Sequence, residues 1–427
     1  MLTSPPTAAS SNRRWAVVAA LFSLSMLTIV DRVAISAAKP SMSRDLGLTD
    51  MTFGLIFGSF ALGYAIFQIP AGYLADRFGP RLLISAVVGG WSLFTVMTAF
   101  ARVAALLVGI RFLFGGAEAG AFPASAKAIK SWLPTRETGI AQGILFSGSR
   151  LGAAFGLTLV SWSVSEFGWR VSFVVLGAVG IMWMLGWHLW FRDTPEQTAA
   201  VSEGERALIR SGRIQAPTND RSSWLSVLTL RETPALLLQY FASNFTFFIC
   251  FSWLLPYLQE RFNLTGRESG FFAAIPLYFG AAGNWVSGAT VDALYRRQWG
   301  RDSRVLPGAV GFLIGAAALV AAVHARNVWT AAACFGIATF GVDLTLSPSW
   351  TLCIDIAGER TGMLTGAMNT LGNIGSFASS IAFPLLLRWA GRSSFYFYLA
   401  AVINVFAALL WVSMRTRGHR CGTDIKE

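Results

Sequence analysis

The chain has 427 residues, 54% of them hydrophobic and only 13% charged, with a formal net charge of +12. Soluble domains carry nearer a quarter charged residues, so a water-soluble globule is excluded. The basic surplus is scattered over short loops between apolar runs, which argues against a nucleic-acid-binding surface.

Apolar stretches of about 20 residues recur along the whole length, each enough to cross a hydrocarbon core about 30 Å thick. A backbone in lipid must satisfy its own hydrogen bonds, and these runs are too long and too little alternating for barrel strands. The expectation is an all-α polytopic membrane protein. Its predicted spans are 16–38, 52–74, 81–100, 104–126, 140–162 and 170–191, then 233–258, 270–291, 306–324, 328–352, 362–386 and 394–414. These twelve fall six on each side of 192–232, the longest polar segment, which is rich in charge, Ser, Thr and Pro. That segment reads as a linker with a short surface helix near 202–210. The expected domains are an N-terminal six-helix bundle (1–191), the linker (192–232) and a C-terminal six-helix bundle with a short tail (233–427).

Arg13 and Arg14 ahead of an apolar run also fit a cleaved leader, but the apolar pattern resumes past Asp31-Arg32 and an even span count fits the charges. With both termini in the cytoplasm, 22 Lys and Arg fall in cytoplasmic segments and 9 in outer ones. The other three, Arg32, Arg111 and Arg150, lie inside spans. Such an asymmetry sets orientation. Cys250, Cys334, Cys353 and Cys421 lack metal-ligand spacing, and His188, His324 and His419 lie at span ends or in the tail. No disulfide framework, metal site or cofactor is expected.

A charge at mid-bilayer costs about 2.5–3.5 kcal/mol on translocon scales, so such residues face a partner or an aqueous cavity. Six need an account: Asp31, Arg32, Arg111, Glu118, Arg150 and Asp343. Arg111 and Glu118 stand seven residues apart in "RFLFGGAEAGAFP" (111–123), so they share a helix face yet are too distant to pair within it. Arg111 suits a carboxylate ligand through its planar fork, and Glu118 suits ion coupling. The competing account places both in structural ion pairs with other helices. Asp31 and Arg32 point about 100° apart, so at most one faces a cavity squarely, and a local pair is the competing account. Asp343, in "FGVDLTLSPSW", is a coupling site, a partner of Arg150, or a polar residue at a helix break before Pro348.

Two loops echo each other. "GYLADRFGPR" (72–81) follows span two and "GATVDALYRR" (288–297) follows span eight. Each places a Gly, then an Asp four residues on, then basic residues: Gly72, Asp76, Arg77, Gly79 and Arg81 in the first, and Asp292 in the second. The Gly permits close helix contact, and the Asp can pair with Arg or cap a neighbouring helix. Two copies at equivalent positions favour an internal repeat over a generic basic loop.

The first loop closely resembles the signature loop of the major facilitator superfamily, and the twelve-span layout with a central linker covers the whole chain. "VDR" (30–32), "RFLFGGAEAGAFP" (111–123) and "GAMNTLGNIG" (366–375) look like motifs of its anion:cation symporter family. That family includes D-galactonate and hexuronate transporters and the vesicular glutamate and sialic acid carriers. The resemblance implies two six-helix bundles related by a pseudo-two-fold axis, with access alternating about a midplane site. It implies substrate binding by Arg111 and proton coupling by Glu118, with Asp31 a second protonation site and Arg32 its partner or an anion contact. Asn369 matches a substrate-binding asparagine, although Gly366, Gly372 and Gly375 equally suggest close helix packing there. By the same resemblance Tyr64 and Trp350 stand at family positions of cavity aromatics, although an aromatic in a span more often serves packing. The chain departs from the family where Ser149, followed by Arg150, replaces a substrate-binding glutamine. Arg150 then adds a cation for a dicarboxylate, or pairs with Glu118 or Asp31.

The expected function is proton-coupled import of an organic anion, a sugar acid such as galactonate, a hexuronate or an aldarate, across a bacterial-type inner membrane. The partners are that anion, protons and the bilayer, with no nucleic acid and a monomeric chain. Rival readings are a dicarboxylate or aromatic-acid carrier, an exchanger without proton coupling, and a non-transporting sensor. An enzyme is not expected, since no nucleophile–base set, phosphate loop or metal spacing appears.

Overall fold

Apolar runs without water can only close their own hydrogen bonds, and the described chain does so as helix throughout. The computed structural model describes residues 12–212, 228–252, 254–264 and 266–415. The middle of the expected linker and the tail with His419 and Cys421 lie outside the described residues. The first six predicted spans fall in α1 (Arg13–Leu46), α2 (Asp50–Ala99), α3 (Ala104–Glu118), α4 (Ala121–Trp132) and α5 (Thr138–Trp190). The linker holds α6 (Glu203–Ser211). The remaining spans fall in α7 (Thr233–Ser252), α8 (Leu254–Phe262), α9 (Gly266–Arg296), α10 (Asp302–His324), α11 (Val328–Asp343), α12 (Leu346–Ala357), α13 (Thr361–Ala390) and α14 (Ser394–Arg415).

Two helices carry two spans each, because a single left-handed glycine replaces the loop. Gly79 (φ 79°) divides α2, and Gly168 (φ 77°) divides α5. Residues with a Cβ rarely adopt that conformation, and at Gly79 a Cβ would also lie 2.8 Å from Asp193 Oδ1. Spans four and ten break instead at 119–120 and 344–345, the second just before Pro348 as the sequence suggests.

The chain forms two compact units, one of residues 1–219 with 353–366 and one of 220–352 with 367–427. The first therefore takes in part of the expected linker and a short segment from the second half. In lipid there is no hydrophobic drive between helices, so close backbone packing must supply the attraction. Gly148, Gly152 and Gly156 form such a stripe along α5. A Cβ on the first two would lie 2.5 Å from Phe22 O and 2.8 Å from Met26 O, both on α1. Gly63 of α2 and Gly115 of α3 interlock likewise, with added Cβ atoms 2.1 Å from Phe112 O and 2.2 Å from Phe60 O. Gly115→Ala should therefore lower the melting temperature of the detergent-solubilised protein by about 2 °C or more. Gly109→Ala on the same helix, with nothing within 4 Å of its Cβ, should leave it unchanged. Equal melting of both variants would refute this packing.

The linker's first part is docked, not loose. Glu205 of α6 is buried and accepts from the first-turn amides of α1, Arg13 N (3.3 Å) and Arg14 N (3.1 Å), and from Arg14 Nη1 (3.0 Å). Arg14 Nε reaches Glu137 at 2.7 Å. Thr135 N donates to Gly212 O at 2.8 Å. In the second unit, Phe245, Tyr257, Phe335, Tyr396 and Phe397 lead an aromatic core.

Candidate functional site

The α2–α3 glycine contact decides what meets inside the first unit. It presses the α3 face that carries Arg111, Phe114, Gly115 and Glu118 against Phe60 and Tyr64 of α2. The α5 stripe holds α1 alongside, which brings in Asp31 and Arg32. Four charges thus share one buried region, two of each sign. Arg111, Glu118 and Asp31 are 2%, 1% and 2% exposed.

Their pairing is asymmetric. Arg32 forms an ion pair with Glu118, its Nε donating to Oε1, while Glu118 Oε2 has no hydrogen-bond partner among the described residues. Asp31 accepts from Trp91 Nε1 at 3.0 Å through Oδ2, and its Oδ1 has no partner among the described residues. The expected Arg32–Asp31 pair gives way because the two side chains diverge around α1, one towards α3 and one towards α2. Arg111 makes no hydrogen bond or ion pair among the described residues. Its guanidinium lies instead 4.3 Å from the Phe114 ring centroid and 5.2 Å from that of Phe60. Arg32 stacks on Tyr64 at 4.5 Å and on Phe60 at 5.3 Å. A buried guanidinium held only by rings keeps its donors for an incoming anion.

Arg150 is half-buried on α5, while Glu118 pairs with Arg32 and Asp31 accepts from Trp91. Ser149 Oγ lies 2.6 Å from Ser25 Oγ, at the α1–α5 contact. In the second unit, Asn369 is 7% exposed on α13, and its backbone carbonyl accepts from Asn373 Nδ2 at 2.8 Å. Trp350 is wholly buried and donates to Tyr240 Oη at 3.0 Å. Asp343 ends α11 and accepts from Asn284 Nδ2 at 3.2 Å.

The signature loop stitches the first unit together at one end. Asp76 accepts from the amides of Gly362 (2.9 Å) and Met363 (2.8 Å), so it caps the first turn of α13. Burial pushes its carboxyl above the ordinary value, against the pull of Lys127 and those two amides. Gly72 permits the approach, since a Cβ there would lie 2.3 Å from Gly362 O. Lys127 and Lys130 pair with Glu359 at 3.1 and 2.7 Å. Arg81 donates from its amide to Asp193 Oδ1 (2.8 Å) and from Nε to His188 O (3.0 Å). Arg77 is exposed beside the Phe78 ring, and Asp292 of the echoing loop is buried on α9.

Phe60, Phe114, Trp91, Lys127 and Glu359 were not singled out from sequence. Two of them carry a signal: Phe60 is one turn before Tyr64, and Phe114 is three residues after Arg111, so each shares a face with an expected site residue.

Similar proteins agree with this architecture. A probable sulfoacetate transporter of Cupriavidus necator is 32% identical over 389 residues, covering 90% of this chain and 89% of the relative. A D-galactonate transporter of Escherichia coli is 28% identical over 410 residues, covering 92% and 94%. A crystal structure of the E. coli fucose:proton symporter superposes with a TM-score of 0.73 at 15% identity, covering 95% of this chain and 99% of that one. At that identity the likeness concerns the fold. The family model of the Major Facilitator Superfamily matches residues 21–380, and the chain belongs to that superfamily, as an integral membrane transporter and not an enzyme.

Proposed function

We propose that the protein is a proton-coupled symporter that carries an organic anion by alternating access, with a sugar acid as its substrate. The observation that carries this reading is Arg111, a buried cation that no carboxylate among the described residues pairs with. Burying a charge without a hydrogen-bonded partner is costly, and a substrate carboxylate would supply that partner bidentately. The four charges already balance, so an anion can enter without surplus negative charge only if a carboxylate takes up a proton. Glu118 is the first candidate, because its neutralisation would also release Arg32, and Asp31 is the second. Relatives named for L-galactonate, galactarate/D-glucarate and D-galactonate support a hydroxylated acid. Asn369 would bind its hydroxyls, with Tyr64 and Trp350 as aromatic walls, and Ser149 and Arg150 would adjust the fit. Asp343 is a further coupling candidate. The Gly72–Arg81 loop and Asp292 would steady one conformation.

A thermal-shift screen of the purified protein against sugar acids, dicarboxylates, aromatic acids and sulfoacetate tests this. Stabilisation by an acid and not by the matching neutral sugar is expected. Stabilisation by neutral sugars alone would overturn it.

The domain plan accompanying this reading is two six-helix bundles in a monomer, in a bacterial inner membrane, with both termini cytoplasmic. The linker would then be cytoplasmic. Ser211→Cys, in a background without the four native cysteines, should resist impermeant thiol reagents in intact cells and label after permeabilisation. Ready labelling of intact cells would invert the topology.

A further inference from the structure

We infer that Phe60 is a positioning residue for anion recognition, its ring holding the Arg111 fork in place without consuming the fork's charge or donors. The inference rests on the proposed role of Arg111 and assigns a function to a side chain outside the motif that contains it.

The geometry makes Phe60 the shared element of the site. Its ring centroid is 5.2 Å from the Arg111 guanidinium and 5.3 Å from that of Arg32. It also lies 5.7 Å from the Tyr64 ring and 5.7 Å from the Phe114 ring. Among the described residues, Tyr64 meets the guanidinium of Arg32 and Phe114 that of Arg111. The ring's backbone is fixed as well, since Phe60 O touches α3 where Gly115 leaves no room for a Cβ.

The choice of ring over carboxylate has a chemical reason. A carboxylate at this position would orient Arg111 but would also neutralise it and occupy the donors that a substrate needs. The face of a phenyl ring attracts the cation through its quadrupole and accepts none of the in-plane N–H groups. Orientation is thus supplied before the anion arrives, which removes part of the ordering cost from binding. Leucine at this position would fill much of the same volume but carries no quadrupole.

The test replaces Phe60 with 4-fluoro-, 3,5-difluoro- and 3,4,5-trifluorophenylalanine, which withdraw density from the ring face with little change of shape. Phe60→Leu and Phe60→Trp complete the series, and the full-length protein is checked for monodispersity in detergent. Sulfoacetate, D-galactonate and D-glucarate serve as probes for Kd, and the uptake of whichever of them bind gives KM and Vmax. The expected result is a stepwise rise in Kd and KM with each fluorine. Across the series and Phe60→Leu the rise should amount to about 2- to 30-fold. Vmax and the pH profile of uptake should stay constant, and Phe60→Trp should restore affinity. The same fluorines at Phe173, a core ring with no guanidinium against it among the described residues, should leave Kd unchanged. A flat or falling Kd along the Phe60 series, with the parent protein binding normally, overturns the positioning role alone. Failure of the parent to bind any of the three acids overturns the anion-site reading and this inference with it.

Discussion

Arg111→Lys is expected to weaken substrate binding and uptake by about 10- to 100-fold while the protein still reaches the membrane in normal amount. The substitution keeps the charge, so any electrostatic attraction for the anion survives. It removes the planar fork, and with it a two-point grip on a carboxylate. It also weakens the stacking on Phe114 and Phe60, because an ammonium is a compact, strongly hydrated charge that fits poorly between rings. Uptake kinetics in vesicles, with membrane abundance measured in parallel, separate these effects from loss of folding. Near-normal uptake by the variant would mean that Arg111 serves the helix bundle and not the substrate.

Glu118→Gln should abolish pH-driven accumulation against a gradient, while counterflow between preloaded vesicles persists at least in part. The amide imitates a protonated carboxyl and cannot release a proton. In the structure it would also deprive Arg32 of its counter-charge, leaving a second guanidinium free to attract the anion. Binding should therefore survive the substitution at neutral pH. The sign of the pH effect follows from linkage. If the protonated site favours the anion, the parent's affinity falls as pH rises, and the variant should lose part of that fall because one linked group no longer titrates. Continued uphill uptake would move coupling elsewhere, first to Asp31 and then to Asp343.

Much of this architecture is legible in the residues, because lipid leaves a chain so few options. Apolar length located the spans, and the Gly-Pro pair at 79–80 marks the sharp turn that divides α2. The stripe Gly148, Gly152, Gly156 is a four-residue repeat of glycines, but nothing in the repeat names its partner helix. The candidate site is harder to read. That Arg111 and Glu118 share a face follows from their spacing, but the partner of each depends on residues far along the chain. Arg32 meets Glu118 across 86 positions, and Trp91 meets Asp31 across 60. Such pairs depend on the rotation of each helix about its axis, set by where glycines let backbones touch. No local pattern encodes that rotation. That Arg111 pairs with no carboxylate among the described residues is harder still to read, since a missing pair leaves no mark in a sequence.

The Glu205 carboxylate gives the order of synthesis a role in finishing the first unit. The amides it caps belong to residues 13 and 14, and it follows them by 192 and 191 positions. At typical elongation rates of 5–20 residues per second, that separation is about 10–40 s of translation. Throughout that interval the start of α1 must satisfy its open amides with water or lipid headgroups. The start of α1 is therefore closed by a residue near the middle of the chain, made only after α1 to α5. Biogenesis machinery that receives α1 meets a helix whose final seat does not yet exist.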